Sequence, residues 1–98
     1  MGSSIVEFHP AAVEEAEVAR TWYEERSIIA GKAFVEELMH AIDQILEAPE
    51  RWPKYEYNTR RYVFPRFPFS LVYRVVGDKI QIIAVAHAKR KPGYWRHR

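Results

Sequence analysis

Apolar and polar residues along this chain change period twice, and each change marks an element. Residues 4–8, SIVEF, alternate and carry β-branched side chains, which predicts a short first strand. His9 and Pro10 follow. Proline suits the first position of a helix, where its missing N–H would have no partner. Ala12, Ala16, Ala19 and Tyr23 then recur at helical spacing, with Val13 and Trp22 widening the apolar stripe. The small alanines predict a helix that lies close to its neighbour. Residues 27–31, SIIAG, break the pattern. A second helix is expected beyond them, with Phe34, Leu38, Ile42 and Ile45 on one face and Glu36, His40, Asp43 and Glu47 on the other, ending at Pro49. Two such helices joined by a short loop form an antiparallel hairpin.

Residues 49–59, PERWPKYEYNT, mix polarity and contain two prolines, so they read as a surface loop. From residue 60 the period becomes strand-like. RRYVF (60–64), FSLVYRVV (69–76) and IQIIAVAH (80–87) predict three more strands. PRFP (65–68) separates the first two, because its prolines cannot donate to a ladder. Gly77-Asp78 marks a hairpin between the last two. The order β-α-α-β-β-β predicts a single α+β domain over residues 1–98, with the helical hairpin on one face of a twisted, mostly antiparallel four-stranded sheet. The last two strands are apolar at most positions, so the second face of the sheet is expected to be partly covered.

Composition narrows the chemistry. With 98 residues, 48% of them hydrophobic, the chain can bury one modest core. It has no cysteine, which removes disulfide scaffolds, thiolate zinc sites and cysteine nucleophiles and fits a reducing cytoplasm. No apolar run approaches the roughly 20 residues that span a bilayer, so no membrane association is expected. The start, MGSSIVEF, lacks the regions of a signal peptide, and its first four residues read equally as native or as a cloning remnant.

The net charge of +2 conceals an asymmetry. Residues 1–59 carry five Lys/Arg and twelve Asp/Glu (−7), whereas residues 60–98 carry ten Lys/Arg and only Asp78 (+9). A basic patch of Arg60, Arg61, Arg66, Arg74, Lys89, Arg90 and Lys91 is therefore expected, and such a patch attracts phosphate or acidic peptide.

Among the four histidines, no pair has metal-ligand spacing with nearby carboxylates, so no metal site is expected. His9 reads as a local hydrogen-bonding group at a helix start, and His40 as a surface residue. His87 stands out because it closes an apolar strand and is followed by Arg90 and Tyr94. Histidine exchanges protons near neutral pH, arginine clamps phosphate, and tyrosine donates a proton or stacks on a base. Together they make a minimal kit for cleaving RNA through its 2′-hydroxyl, and equally for a passive grip on nucleic acid. No phosphate loop, serine elbow or dinucleotide fingerprint is present, so no cofactor is expected. The carboxylate pairs Glu14-Glu15 and Glu36-Glu37 read as surface charge.

Trp22-Tyr23, Arg61, Phe67-Pro68, Tyr73-Arg74, His87, Arg90, Pro92 and Trp95, in that order, resemble the RelE/ParE superfamily of toxins from type II toxin–antitoxin modules, often labelled plasmid stabilisation proteins. The resemblance covers nearly all of residues 4–96. It implies the fold above and a protein antitoxin that wraps around the toxin. It also implies one of two targets: RelE-like members cleave mRNA in the ribosomal A site, and ParE-like members inhibit DNA gyrase. By the resemblance, His87, Arg90 and Tyr94 fall where RelE-like toxins place catalytic groups. Lys54 and Arg61 would supply phosphate-binding charge, with Arg60, Arg66, Arg74, Lys89 and Lys91 extending the nucleic-acid surface. The His-x-x-Arg-x-Pro ending is equally similar to ParE-like relatives. Three functions follow as expectations: a ribosome-dependent endoribonuclease, a gyrase inhibitor, or a degenerate module that binds antitoxin or nucleic acid.

Overall fold

In a computed structural model that describes residues 5–98, the elements run β1 (Ile5–Phe8), α1 (Pro10–Arg26), α2 (Ile28–Glu47), β2 (Lys54–Tyr55), β3 (Thr59–Val63), β4 (Phe69–Val76) and β5 (Lys79–His87). Ser4, the expected first strand residue, lies outside the described residues. The sheet order is β1-β5-β4-β3-β2. β1 runs parallel to β5, and all other pairs are antiparallel. The α+β class and the helical hairpin are as expected, but the sheet has five strands instead of four. The extra strand comes from the segment read as a loop, where Lys54 and Tyr55 pair with Arg60 and Thr59. Two residues are too few to show a strand period.

His9 begins α1 by accepting the Ala11 N–H on Nδ1, the side-chain cap that satisfies one otherwise unpaired donor. The break expected over residues 27–31 is confined to Ser27. Its extended backbone ends one helix and starts the next: its N–H donates to the Tyr23 carbonyl, and its Oγ accepts from Ala30 N–H. Gly31 is buried because the two helices nearly touch there. A Cβ added to it would lie 2.9 Å from the Glu24 Cβ.

Ala12 and Ala19 of α1 and Phe34, Ala41 and Ile45 of α2 pack with Tyr62, Phe64, Leu71, Tyr73, Ile80, Ile82 and Val85 of the sheet. Both helices therefore cover one face. Val13 and Trp22, expected to widen the inner stripe, are instead exposed.

A bulge in β5 decides what reaches that face at the strand's far end. Tyr73 pairs with Ile82 while Val72 pairs with Ala84, leaving Ile83 as an extra residue. Before the bulge, Ile80 and Ile82 point to the helices. After it the parity inverts, because each extra residue moves the following side chains to the other face. Val85 joins the helix-side core, and Ile83, Ala84 and Ala86 join the opposite one. His87 then falls on the helix side, where its ring meets Phe69 edge-on at 5.0 Å.

The second face is covered by the chain's own end. Trp95 is buried to 1% exposure among Val72, Ile83, Ala84 and Ala86. Tyr55 stacks on it at 5.4 Å, which is why the short β2 matters. Gly93 adopts φ +88°, and a Cβ there would come within 2.6 Å of the Tyr57 ring. Tyr57 itself holds φ 59°, costly for a bulky side chain, so the β2–β3 turn is strained where it clasps the C-terminal segment.

Two consequences are measurable by urea unfolding. Trp95→Ala should cost about 3–5 kcal/mol, the range for deleting a buried aromatic ring. Trp95→Phe should cost less than Trp95→Ala, because phenylalanine keeps an aromatic ring among Val72, Ile83, Ala84 and Ala86. A Trp95→Ala variant as stable as the parent would mean that the segment does not belong to the fold.

Candidate functional site

β1 stops one strand-half short of its neighbour. Its last pair is Phe8 with Ile82, after which His9 N–H donates to the Ile82 carbonyl and Pro10 takes the chain away into α1. The outer edge of β5 beyond the bulge therefore has no strand beside it. Glu15 of α1 fills the gap. Its Oε1 accepts from Val85 N–H at 3.0 Å. The same carboxylate holds Arg98 in a two-pronged ion pair, with Nη1 to Oε1 and Nη2 to Oε2 both at 3.0 Å. Arg98 in turn donates to the Ile83 carbonyl at 3.1 Å. A backbone N–H and a carbonyl of an open strand edge are thus satisfied by side chains. The Glu15 and Arg98 side chains are only 18% and 19% exposed, so this pair is shielded far more than a surface salt bridge.

Tyr94 completes the cluster. Its hydroxyl donates to Glu15 Oε2 at 2.8 Å, and the Arg90 guanidinium lies 3.7 Å over its ring. Burial, reinforced by the bonded Glu15 carboxylate, pushes the Tyr94 phenol well above its usual range, against the opposing pull of Arg98 and Arg90. His87 lies at the same end, and its Nδ1 accepts the Lys89 N–H at 3.0 Å in the turn closed by Arg90 N–H to the His87 carbonyl. His87, Arg90 and Tyr94 border one groove of about 670 Å³ between α1 and β5, whose apolar side includes Val18, Trp22, Phe69 and Val85. The expected trio does converge.

The expected basic residues do not share one surface. Lys54, Arg60 and Arg74 border a hollow of about 310 Å³ with Glu50 at the β2–β3 end. Arg60 there donates to the Glu50 and Trp52 carbonyls. Arg61, its neighbour in β3, points to the opposite face and stacks 4.2 Å over Tyr55. Arg66 is tied to Glu37 through both its backbone N–H (2.8 Å) and Nε (2.7 Å). Lys89 and Lys91 flank Arg90 in the exposed turn after β5.

Two carboxylates read as surface charge are not. Glu37 is 5% exposed and Glu15 is half-buried. A signal existed for Glu15: three residues after Ala12 and four before Ala19, it borders the buried alanine stripe. Nothing in the sequence pointed to its partners, which are 70 to 83 positions away.

Two predictions test the cluster. Glu15→Ala should destabilise by about 1–3 kcal/mol, since it leaves Val85 N–H and Arg98 unpaired in a half-buried site. Burial pushes the Tyr73 phenol up to about 12 on folding, and the Tyr94 phenol is raised as well. Their contribution is complete below the ordinary phenol value of about 10 and is lost as pH rises through the folded values. Stability should fall from about pH 10 upward, and Tyr94→Phe should make that fall shallower. An unchanged slope would contradict the Tyr94 assignment.

Among the described residues, no helix is long and apolar enough to cross a membrane. The family model described as the ParE toxin of type II toxin–antitoxin system, parDE, matches residues 6–92. A solved structure described as the chromosomal ParDE TA system from P. aeruginosa aligns over 87% of this chain and 96% of that one, with a TM-score of 0.74. Its identity is 19%, so it is a likeness of fold. A search of curated protein sequences gives no match. With the family match running from β1 to the turn after β5, the chain belongs to the ParE toxins of type II toxin–antitoxin systems, within the RelE/ParE superfamily.

Proposed function

We propose that this ParE-family toxin acts by binding DNA gyrase and does not cleave RNA, and that a cognate ParD-type antitoxin neutralises it. The observation that carries this reading is the commitment of both proton carriers to the fold. Cleavage through a 2′-hydroxyl needs one group to take a proton and another to give one, each within hydrogen-bond reach of the substrate. The Tyr94 hydroxyl already donates its hydrogen bond to Glu15, and the raised phenol resists releasing its proton. His87 Nδ1 already accepts from Lys89 N–H. A neutral ring bonded in that way carries its remaining proton on Nε2, where it donates and cannot accept. Neither group is a free base.

Arg90 has the opposite character. Its residue is exposed while its guanidinium is fixed over the Tyr94 ring, so the cation is presented with little left to order on binding. Arginine in such a setting is a typical interface anchor. In this reading the trio is a recognition element: Glu15 holds Tyr94, Tyr94 carries Arg90, and Arg90 meets the target.

The endoribonuclease reading keeps one observation in its favour, the convergence of His87, Arg90 and Tyr94 on a single groove. A paired assay separates the two. Purified toxin should inhibit gyrase supercoiling and leave mRNA on ribosomes intact. Arg90→Ala should raise the concentration for half-inhibition about tenfold or more, and His87→Ala should change it little. Ribosome-dependent cleavage that falls about 10²–10⁴-fold in His87→Ala or Tyr94→Phe would overturn the proposal.

A further inference from the structure

We propose that the outward face of α1 docks a cationic amphipathic helix belonging to a protein partner. Glu14, Glu17, Val18, Thr21, Trp22 and Glu25 border a shallow depression along that face, adjoining the groove beside β5. Their spacing, three and four residues apart in turn, makes one continuous stripe on the helix. Its centre is apolar: Val18 is 63% exposed and Trp22 50%. An exposed valine and tryptophan one turn apart is the spacing that a helix laid alongside would meet at its own i and i+4 positions.

The rim decides what kind of helix. Glu14, Glu17 and Glu25 are exposed and form no ion pair with any described residue. Two other acids of the same helix do have partners, Glu15 with Arg98 and Glu24 with Arg20. Three unpaired carboxylates around an apolar centre repel an acidic segment and complement one with lysine or arginine beside its apolar anchors. Arg26 holds Trp22 in place, with its guanidinium 3.5 Å over the ring and donating to the Trp22 carbonyl at 2.7 Å. That ring face is therefore taken, and the exposed half of Trp22 offers a docked helix an apolar anchor, while its lysines or arginines meet the glutamate rim.

This surface shares Glu14, Val18 and Trp22 with the groove that Arg90 borders, while Glu17, Thr21 and Glu25 belong to it alone. The peptide assay needs no gyrase, so its failure and a failure of the gyrase reading are distinguishable. The competing occupant is a second copy of the chain. Its basic half, residues 60–98 with +9, could meet the acidic stripe head to tail.

The test uses the intact protein and a fluorescently labelled helical peptide of about 18 leucine and lysine residues, long enough to form a helix on binding. Its counterpart replaces every lysine with glutamate. Anisotropy should show the lysine peptide binding at least tenfold more tightly than the glutamate peptide, with affinity falling as salt rises. The triple variant E14Q/E17Q/E25Q should bind the lysine peptide about tenfold more weakly. Trp22→Ala should lose at least as much. A control, E36Q/D43N/E56Q, removes the same number of exposed charges elsewhere and should bind like the parent. Circular dichroism checks that each variant is folded. Equal losses in both triple variants would reduce the effect to net charge and overturn the proposal. So would unchanged binding in E14Q/E17Q/E25Q or Trp22→Ala. Salt-sensitive self-association of the parent that E14Q/E17Q/E25Q abolishes would assign the face to a second copy and overturn it as well.

Discussion

One carboxylate stands where a strand is missing. β1 ends at Phe8, β5 continues to His87, and the exposed backbone of that overhang would otherwise face solvent as an invitation to pairing. Glu15 receives Val85 N–H and Arg98 covers the Ile83 carbonyl, so side chains complete the ladder. The arrangement of Tyr94, Arg90 and Arg98 at this end of the sheet depends on that carboxylate. The same carboxylate fixes the Tyr94 hydroxyl, Tyr94 supports Arg90, and Arg98 pins the end of the chain against α1. A half-buried carboxylate with this many donors is strongly held, and each donor it loses leaves an unpaired group behind.

The β5 bulge is the second half of that device. Without Ile83 as an extra residue, Ala84 and Ala86 would face the helices, and Val85 and His87 would face away. The C-terminal segment could then not place Trp95 on the back of the sheet while keeping Tyr94 and Arg98 within reach of α1. The segment crosses the open edge of β5, buried at Trp95 on one side and ion-paired at Arg98 on the other. Gly93 makes the turn possible, and the β2–β3 turn grips it through Tyr55 and Tyr57. Strain at Tyr57 is tolerated because the contact it makes is part of the cover of the second core.

Much of this was legible in the residues. Period alone located the helices and the four longer strands, and the apolar character of FSLVYRVV and IQIIAVAH foretold a second sheet face that is partly covered. His87, Arg90 and Tyr94 were singled out by type and spacing, and they do border one groove. What escaped was set by contacts distant in sequence. β2 is two residues long, too short for a pattern, and exists because Tyr55 has Trp95 to stack on. Glu15 and Glu37 look like any helix-surface glutamates, since burial was conferred by Arg98, Tyr94 and Arg66 from elsewhere in the chain. The basic residues formed a run in sequence and not in space, because alternation along β3 sends Arg60 and Arg61 to opposite faces.

The central claim is that the Glu15 carboxylate acts as the missing strand partner of β5, and the Val85 amide reports on it directly. Residue-resolved hydrogen exchange by NMR should find Val85 N–H protected in the parent to a degree comparable with the amides paired inside the sheet. In Glu15→Ala that protection should vanish at Val85 while the β4–β5 amides stay slow. A Val85 amide that exchanges freely in the parent, or one equally protected without Glu15, would contradict the account.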